Sequence, residues 1–203
     1  MNVRALNRAL LARQHLLARA ELPAAAMLGH LTGMQAQAPL APYVGLWTRL
    51  AGFRPGELAS LLTRREAVRG LLMRGTVHLV LAEDARTLRP LVQPVVAGGY
   101  TGHFGRRIGD ADLGAVARFG RRLLDEQPRT RRQLQDALAA RRPEQDAEAL
   151  SYAVSYLVPT AQVTPRGVWG ATGPATLTTL DGWLGRPRGG PGPRRRSVRR
   201  PWP

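Results

Sequence analysis

Apolar residues recur at helical spacing through most of the first 62 residues. Leu6, Leu10 and Leu17 lie on one stripe of a first helix, predicted from residue 2 to about residue 20, with arginines largely off the stripe. Three further helices are predicted, over residues 23–33, 42–50 and 54–62. The N-terminal part of the chain is therefore expected to be helical.

Residues 69–81 change to a pattern that is typical of two strands around a tight bend. Glu83 and Asp84 then begin another helix, where the helix dipole favours acids, and this helix is predicted to end at residues 98–99. Several short helices followed by a β-ribbon form the element order of a winged helix, a helix-turn-helix variant.

A similar order recurs in the second half. Helices are predicted from Asp112 to about Leu124, from Thr130 through Leu138 and over residues 143–156, followed by short strands at 158–163, 167–169 and 175–179. We therefore predict a mainly α fold with small β-wings, built from two tandem winged-helix units, residues 1–100 and 101–184. The boundary is expected in the stretch 98–109.

Residues 185–203 lose this pattern, because sixteen of the nineteen are Arg, Pro or Gly. Such a segment cannot bury apolar surface and is predicted to be disordered. One interpretation is a basic arm that grips phosphates. The simpler interpretation is a shifted reading frame or a truncated gene, because alternate frames of GC-rich DNA translate into this composition.

The net charge is +16, and residues 1–184, with 23 arginines and 14 acidic side chains, still carry +9. Lysine is absent, which a GC-rich genome explains, but the excess charge favours a polyanionic partner, nucleic acid rather than membrane. The absence of cysteine and the spacing of the four histidines exclude thiolate and histidine metal sites, so we expect no metal and no cofactor. With no signal peptide or membrane span, the expected location is the cytoplasm, in association with the nucleoid.

Residues 34–39 read Met-Gln-Ala-Gln-Ala-Pro and directly follow the second predicted helix. Pro39 disfavours the helical conformation at the residue before it, so the segment is expected to be extended. In an extended segment, Gln35 and Gln37 share a face. Two neutral amides can hold a water molecule, but neither can remove a proton from it. The pattern predicts a site, whereas the plain alternative is a pair of solvated loop residues.

Three motifs in order resemble a bacterial winged-helix DNA-binding family that contains the AlkZ-type DNA glycosylases, which resist azinomycin-like alkylating agents. They lie at residues 35–47, 73–80 and 166–185, and the resemblance spans about residues 2–187. It implies tandem winged helices that are normally continued by a further winged helix and a β-rich part. On this resemblance the chain is expected to be an N-terminal portion, a truncated copy of such a protein.

The resemblance also implies an activity, that of a monofunctional glycosylase on duplex DNA. The family's Gln–aliphatic–Gln signature, taken to position the catalytic water, falls on Gln35, Ala36 and Gln37. An N7-alkylated purine is already cationic and leaves without a general acid, so placing and polarising a water can suffice. We therefore expect activity on bulky or cationic N7-alkylated purines and little on normal bases.

Five basic residues are candidates for DNA contact, each with a simpler alternative: Arg74, His78, Arg129, Arg131 and Arg132. Arg74, in the ribbon, is expected either to bind phosphate or to form a surface salt bridge. His78 is either near DNA or a packed strand histidine. The three arginines flank a helix start that can face the DNA backbone, but arginine runs are usually solvated.

Two other functions remain open on the sequence. Tandem winged helices also serve non-catalytic DNA-binding proteins such as transcriptional regulators, and the fold alone does not decide between the two. A pseudogene product without a stable role is the third.

Overall fold

The computed structural model describes residues 2–185. The helices are α1 Val3–Arg13, α2 Ala24–His30, α3 Ala41–Trp47, α4 Pro55–Thr63, α5 Ala82–Ile108, α6 Leu113–Glu126, α7 Arg131–Arg141, α8 Ala147–Leu157 and α9 Leu180–Leu184. The strands are β1 Met34–Gln35, β2 Ala67–Leu71, β3 Val77–Leu81, β4 Arg129–Thr130, β5 Thr160–Gln162 and β6 Thr176–Thr179. Within the described residues, no helix combines the length and the apolar character needed to cross a membrane.

The six strands found among residues 2–185 form one antiparallel sheet in the order β1-β3-β2-β5-β6-β4. The ribbon β2–β3 of the first half joins the strands of the second half through the pairing of Arg69 with Gln162. The two halves therefore share a sheet, and the residues at this junction come from distant parts of the chain. The prediction of a mainly helical protein with a small β component is confirmed.

Three elements differ most from the sequence prediction: the first helix, the strand at residues 167–169 and the end of α5. The first helix ends at Arg13 rather than near residue 20, and His15 just beyond it has a positive φ of 53°. No residue of α1 is buried, so packing does not favour a longer helix. The strand predicted at residues 167–169 is instead a turn, in which Gly167 has a φ of 88°.

Helix α5 continues past residues 98–99, where its end was predicted, and stops at Ile108. Each glycine costs a helix only about 1 kcal/mol. The continuation buries Tyr100 completely and stacks it on Phe104, at 5.3 Å between ring centroids. Long-range packing therefore outweighs the local signal, and the stretch predicted as a domain boundary is almost entirely helix.

The buried side chains of the described residues form three clusters, one in each half and a third, with Val80 and Leu180, that spans both halves. The first cluster includes Leu28 and Leu79 and takes in Ala36, the middle residue of the Gln-Ala-Gln motif. The second lies among α5, α6, α7 and α8 and is centred on residues such as Tyr100 and Val154. The motif is thus anchored in a core through its alanine. The tail predicted to be disordered, with both of its interpretations, lies outside the described residues apart from residue 185.

Candidate functional site

The Gln-Ala-Gln motif runs along the edge of the sheet. Gln35 pairs with His78 of β3, and the next backbone N–H, that of Ala36, donates to the carbonyl of Val77 at 2.8 Å. Exposure alternates along the motif: Gln35 and Gln37 are exposed and Ala36 is fully buried. This alternation is what an extended segment produces, and it leaves both amides on the side away from the core.

The two amides differ in their hydrogen bonding. The side-chain oxygen of Gln37 accepts from the backbone N–H of Val77 at 3.2 Å, which fixes its carboxamide with the amino group turned away. Within residues 2–185, the side chain of Gln35 makes no hydrogen bond. Gln35 therefore keeps its acceptor for a ligand or water, whereas Gln37 chiefly offers donors.

Arg69 supports the motif from the buried side. Its guanidinium donates through Nη2 to the carbonyl of Ala36 at 2.8 Å, and its side chain is only 2% exposed. Burial, together with the nearby charge of Arg166, lowers the pKa of Arg69 to about 10. No carboxylate compensates this cation within residues 2–185, so a buried positive charge lies directly beneath the motif.

The third motif packs against the first motif and against Arg69. Its contact with the first motif is made by Tyr43, which belongs to the first motif. The Tyr43 hydroxyl donates to the carbonyl of Gly167 at 2.9 Å and accepts from the backbone N–H of Trp169 at 2.9 Å. A side chain at Gly167 would lie about 3.0 Å from Arg69. The segments that suggested the family resemblance are thus packed together around one buried arginine.

A cavity of about 770 Å³, the Gln35 cavity, opens beside Gln35. Its lining residues are Leu10, Arg13, Gln14, His30, Leu31, Gly33, Met34, Gln35, Arg49 and Arg74. Three arginines and no acidic residue belong to this lining. Such a surface attracts polyanions, and a carboxylate general base is absent from this set of described residues.

Local structure places the basic side chains of the Gln35 cavity. Arg74 occupies the tight bend between β2 and β3 with a φ of 55°, and it is exposed. Arg49 donates to the carbonyl of Gly45 at 2.8 Å and to the side chain of Gln14 at 3.1 Å. His30 bonds through Nε2 to the backbone oxygen of Arg13 at 2.8 Å. Sequence reasoning missed these contributors from α1, α2 and the end of α3, because no local pattern links residues so far apart in the chain.

A second, smaller cavity of about 140 Å³, the Gln37 cavity, lies beside Gln37. Its lining residues are Gln37, Gly70, Leu71, Gly75, Val77, Arg131, Tyr152, Ser155, Tyr156, Thr160, Gln162 and Leu177. The lining combines the β2–β3 ribbon with α8 and β5, so both halves of the chain contribute. The two glutamines thus share a strand face but line two different cavities.

The structure brings two of the five candidate DNA-contact residues to these cavities, Arg74 to the first and Arg131 to the second. Arg129 is turned inward, donating to the carbonyl of Leu123 at 3.1 Å and to Glu126 at 3.2 Å. Arg132 is exposed and paired with Asp136 at 2.9 Å, one turn further along α7. The DNA contacts of all five residues stay predictions.

His78 of β3 is buried and is the cross-strand partner of Gln35 in β1. Its Nδ1 is 3.0 Å from the carbonyl oxygen of Thr76, two residues earlier. This is the geometry of the packed strand histidine that the sequence offered as an alternative. Within residues 2–185, no cluster of His, Cys, Asp and Glu suited to a metal ion is present.

An amide motif between two arginine-containing cavities that lack carboxylates, on a helical protein with one small sheet, defines a candidate polyanion-binding protein. The family model of the AlkZ-like DNA glycosylases matches residues 28–201, and the chain belongs to that family. The resemblance expected from the sequence is thereby confirmed.

Among solved structures, the Streptomyces sahachiroi DNA glycosylase AlkZ matches with a TM-score of 0.67 and 19% sequence identity. The match covers 86% of this chain and 48% of that chain, so this chain spans about half the length of the matched structure. At this identity the likeness concerns the fold. No curated protein matches the chain.

Proposed function

We propose that this chain belongs to a DNA glycosylase that releases cationic N7-alkylated purines from duplex DNA, with Gln35 and Gln37 placing the attacking water. One observation carries the proposal: among residues 2–185, the amide of Gln35 has no hydrogen-bond partner and faces an arginine-lined cavity without a carboxylate. A site of this composition suits a reaction that needs a positioned water and no general acid or base.

Binding comes first. Arg13, Arg49 and Arg74 line the cavity that contains Gln35, and their charge attracts the phosphates of duplex DNA without reading its sequence. The same positive charge disfavours a cationic base. The phosphates of the bound DNA neutralise this charge, so the site can accept a cationic base only when DNA is bound. This account predicts affinity that falls as salt is raised.

In the chemical step, the bond between C1′ of the sugar and the purine nitrogen breaks, and its electron pair neutralises the cationic base. A water oxygen bonds to C1′, and the surplus proton passes to solvent. The free carbonyl of Gln35 accepts a hydrogen bond from that water and directs its dipole toward the cationic sugar. Gln37, whose oxygen accepts from Val77 and which lines the neighbouring cavity, donates one amide N–H to the same water, so the other lone pair of the water oxygen stays free to attack C1′.

We also propose that the two halves of the chain are winged-helix units that share the sheet. Each half places short helices ahead of strands, as that architecture requires. The β2–β3 bend that carries Arg74 would then be a wing, and the protein would act inside the cell on nucleoid DNA.

The test is base release from a duplex that contains a single 7-methylguanine. The wild-type chain should release the base, and Gln35→Met should slow release at least tenfold, since it removes the water acceptor but keeps the side-chain length. Duplex affinity should change little. Gln127→Met, at an exposed glutamine outside both cavities, is the matched control and should behave like the wild type. Sequence-specific binding without any base release would contradict the proposal and identify a non-catalytic DNA-binding protein.

A further inference from the structure

The Gln37 cavity has the size and lining of a site for one planar ring. Its volume is about 140 Å³, and a cavity of about 150 Å³ accommodates a benzene-sized ring. Tyr152, Tyr156 and several aliphatic side chains supply most of the wall. A hydrated anion such as free phosphate is poorly suited to such a wall, whereas a heteroaromatic ring can stack there.

Arg131 is a preorganised donor at this cavity. Its guanidinium carbon Cζ lies over the ring of Tyr152, 3.8 Å from the ring centroid. Within residues 2–185 it makes no hydrogen bond or ion pair, and its Nη1 is buried without a partner. Burial lowers the pKa of Arg131. Among the three arginines at the start of α7, it is the one whose donors are unused, since Arg129 and Arg132 are both paired with acids.

Gln162 supplies an unused acceptor in the same lining. Its side-chain oxygen is buried and, within the described residues, has no hydrogen-bond partner. Buried polar groups without partners are rare in proteins and cost free energy. A ligand that offers both an acceptor and a donor along one edge could satisfy Arg131 and Gln162 together.

We propose that the Gln37 cavity is a nucleobase site that selects guanine-type bases, with Arg131 donating to the base carbonyl and Gln162 accepting from the adjacent ring N–H. Arginine can only donate, so it favours the carbonyl of guanine. Adenine places an amino group there and would set donor against donor. The carbonyl of guanine remains available after alkylation at N7.

This inference rests on the proposed function and makes its substrate more specific. A base that leaves the sugar beside Gln37 would be held at its edge in this cavity, while the larger Gln35 cavity keeps room for the alkyl group. The expected preference is for N7-alkylguanine over N3-alkyladenine, although both lesions are cationic. Arg131 then acts as a specificity residue and takes no part in bond breaking.

The experiment has two arms that use the full chain. In the first, binding of free 7-methylguanine and free 3-methyladenine is measured by saturation-transfer NMR. In the second, release of the same two bases from duplex DNA is measured in single turnover. Both arms compare the wild type, Arg131→Met and the matched control Arg141→Met. Arg141 is the last residue of the same helix, stacks over the ring of Phe119 at 5.0 Å and lies outside both cavities.

The wild type and Arg141→Met should favour the guanine lesion in both arms, and Arg131→Met should lose this preference by about tenfold to a hundredfold. Gln162→Met should lower it as well, and it carries the test if Arg131→Met fails to fold. Equal preference in all folded variants, or no binding of free 7-methylguanine, would overturn the inference. If the wild type releases neither base from DNA, the proposed function fails, while the free-base arm still tests the cavity.

Discussion

Arg69→Met is expected to leave the stability of the protein nearly unchanged while loosening the Gln-Ala-Gln motif. The guanidinium of Arg69 is buried, and its Nε and Nη1 have no partner within residues 2–185. Its pKa is lowered to about 10, chiefly by burial. Because one pKa unit is worth about 1.4 kcal/mol, the fall represents about 3 kcal/mol of unfavourable burial of the charge.

The substitution also removes a favourable contact. The Nη2 group donates to the carbonyl of Ala36, and leaving a buried acceptor unpaired costs about 1–3 kcal/mol. The two effects nearly cancel, so the free energy of unfolding should change by less than about 2 kcal/mol in either direction. Base release should nevertheless fall, because the strand between Gln35 and Gln37 loses its anchor.

The pH dependence of folding stability tests this prediction further, because the direction of the change is fixed by the lowered pKa of Arg69. Between about pH 10 and pH 12, the folded protein has lost the Arg69 proton while the unfolded chain retains it, so folding stability rises with pH. Arg69→Met has no guanidinium to titrate at this position. The wild type should therefore gain stability relative to the variant as pH rises. Below about pH 9 the difference between the two should be constant.

The assay is urea unfolding followed by tryptophan fluorescence at pH 8 and at pH 10.5. Arg106→Met, at an exposed arginine on α5, is the control and should stay within about 0.5 kcal/mol of the wild type. A change above about 2 kcal/mol in Arg69→Met at pH 8, or a difference that moves against the wild type as pH rises, would refute the reasoning.

Two further predictions concern packing and are measured by the same unfolding assay. A methyl group added at Gly120 would overlap Val154 across the α6–α8 contact, so Gly120→Ala should cost about 1–3 kcal/mol, whereas its control Gly98→Ala meets open space within α5 and should gain up to about 1 kcal/mol. Equal effects of the two would contradict this packing. Tyr43→Phe leaves the buried carbonyl of Gly167 and the partly buried N–H of Trp169 unpaired, and it should cost about 1–3 kcal/mol. No change in stability would show that water replaces the hydroxyl.

Sequence reasoning was most successful where the signal is local. Asp112 caps α6 by accepting from the N–H of Ala115, and Thr130 caps α7 in a reciprocal bond pair with Gln133. Both caps depend on side chains within three residues, and both helix starts were predicted. The extended conformation of the motif was likewise predictable from Pro39.

Features that depend on distant residues were not predictable from the sequence. The continuation of α5 past residues 98–99 depends on packing of Tyr100 against α8, whose residues lie some fifty positions away. The different environments of the arginines at the start of α7 were also not predictable from the sequence. Nothing in the sequence distinguishes Arg131 from Arg132, yet the fold directs the first over Tyr152 and the second toward solvent. The separation of the two glutamines into two cavities also arises only when both halves join one sheet.

The central claim is that uncharged amides suffice because the departing base is already cationic. Its most direct test compares single-turnover release of 7-methylguanine with release of its ring-opened, neutral derivative from the same duplex. The account predicts release of the cationic base and none of the neutral one above the uncatalysed background. Comparable rates for the two would show that the protein supplies acid catalysis, and they would contradict the account.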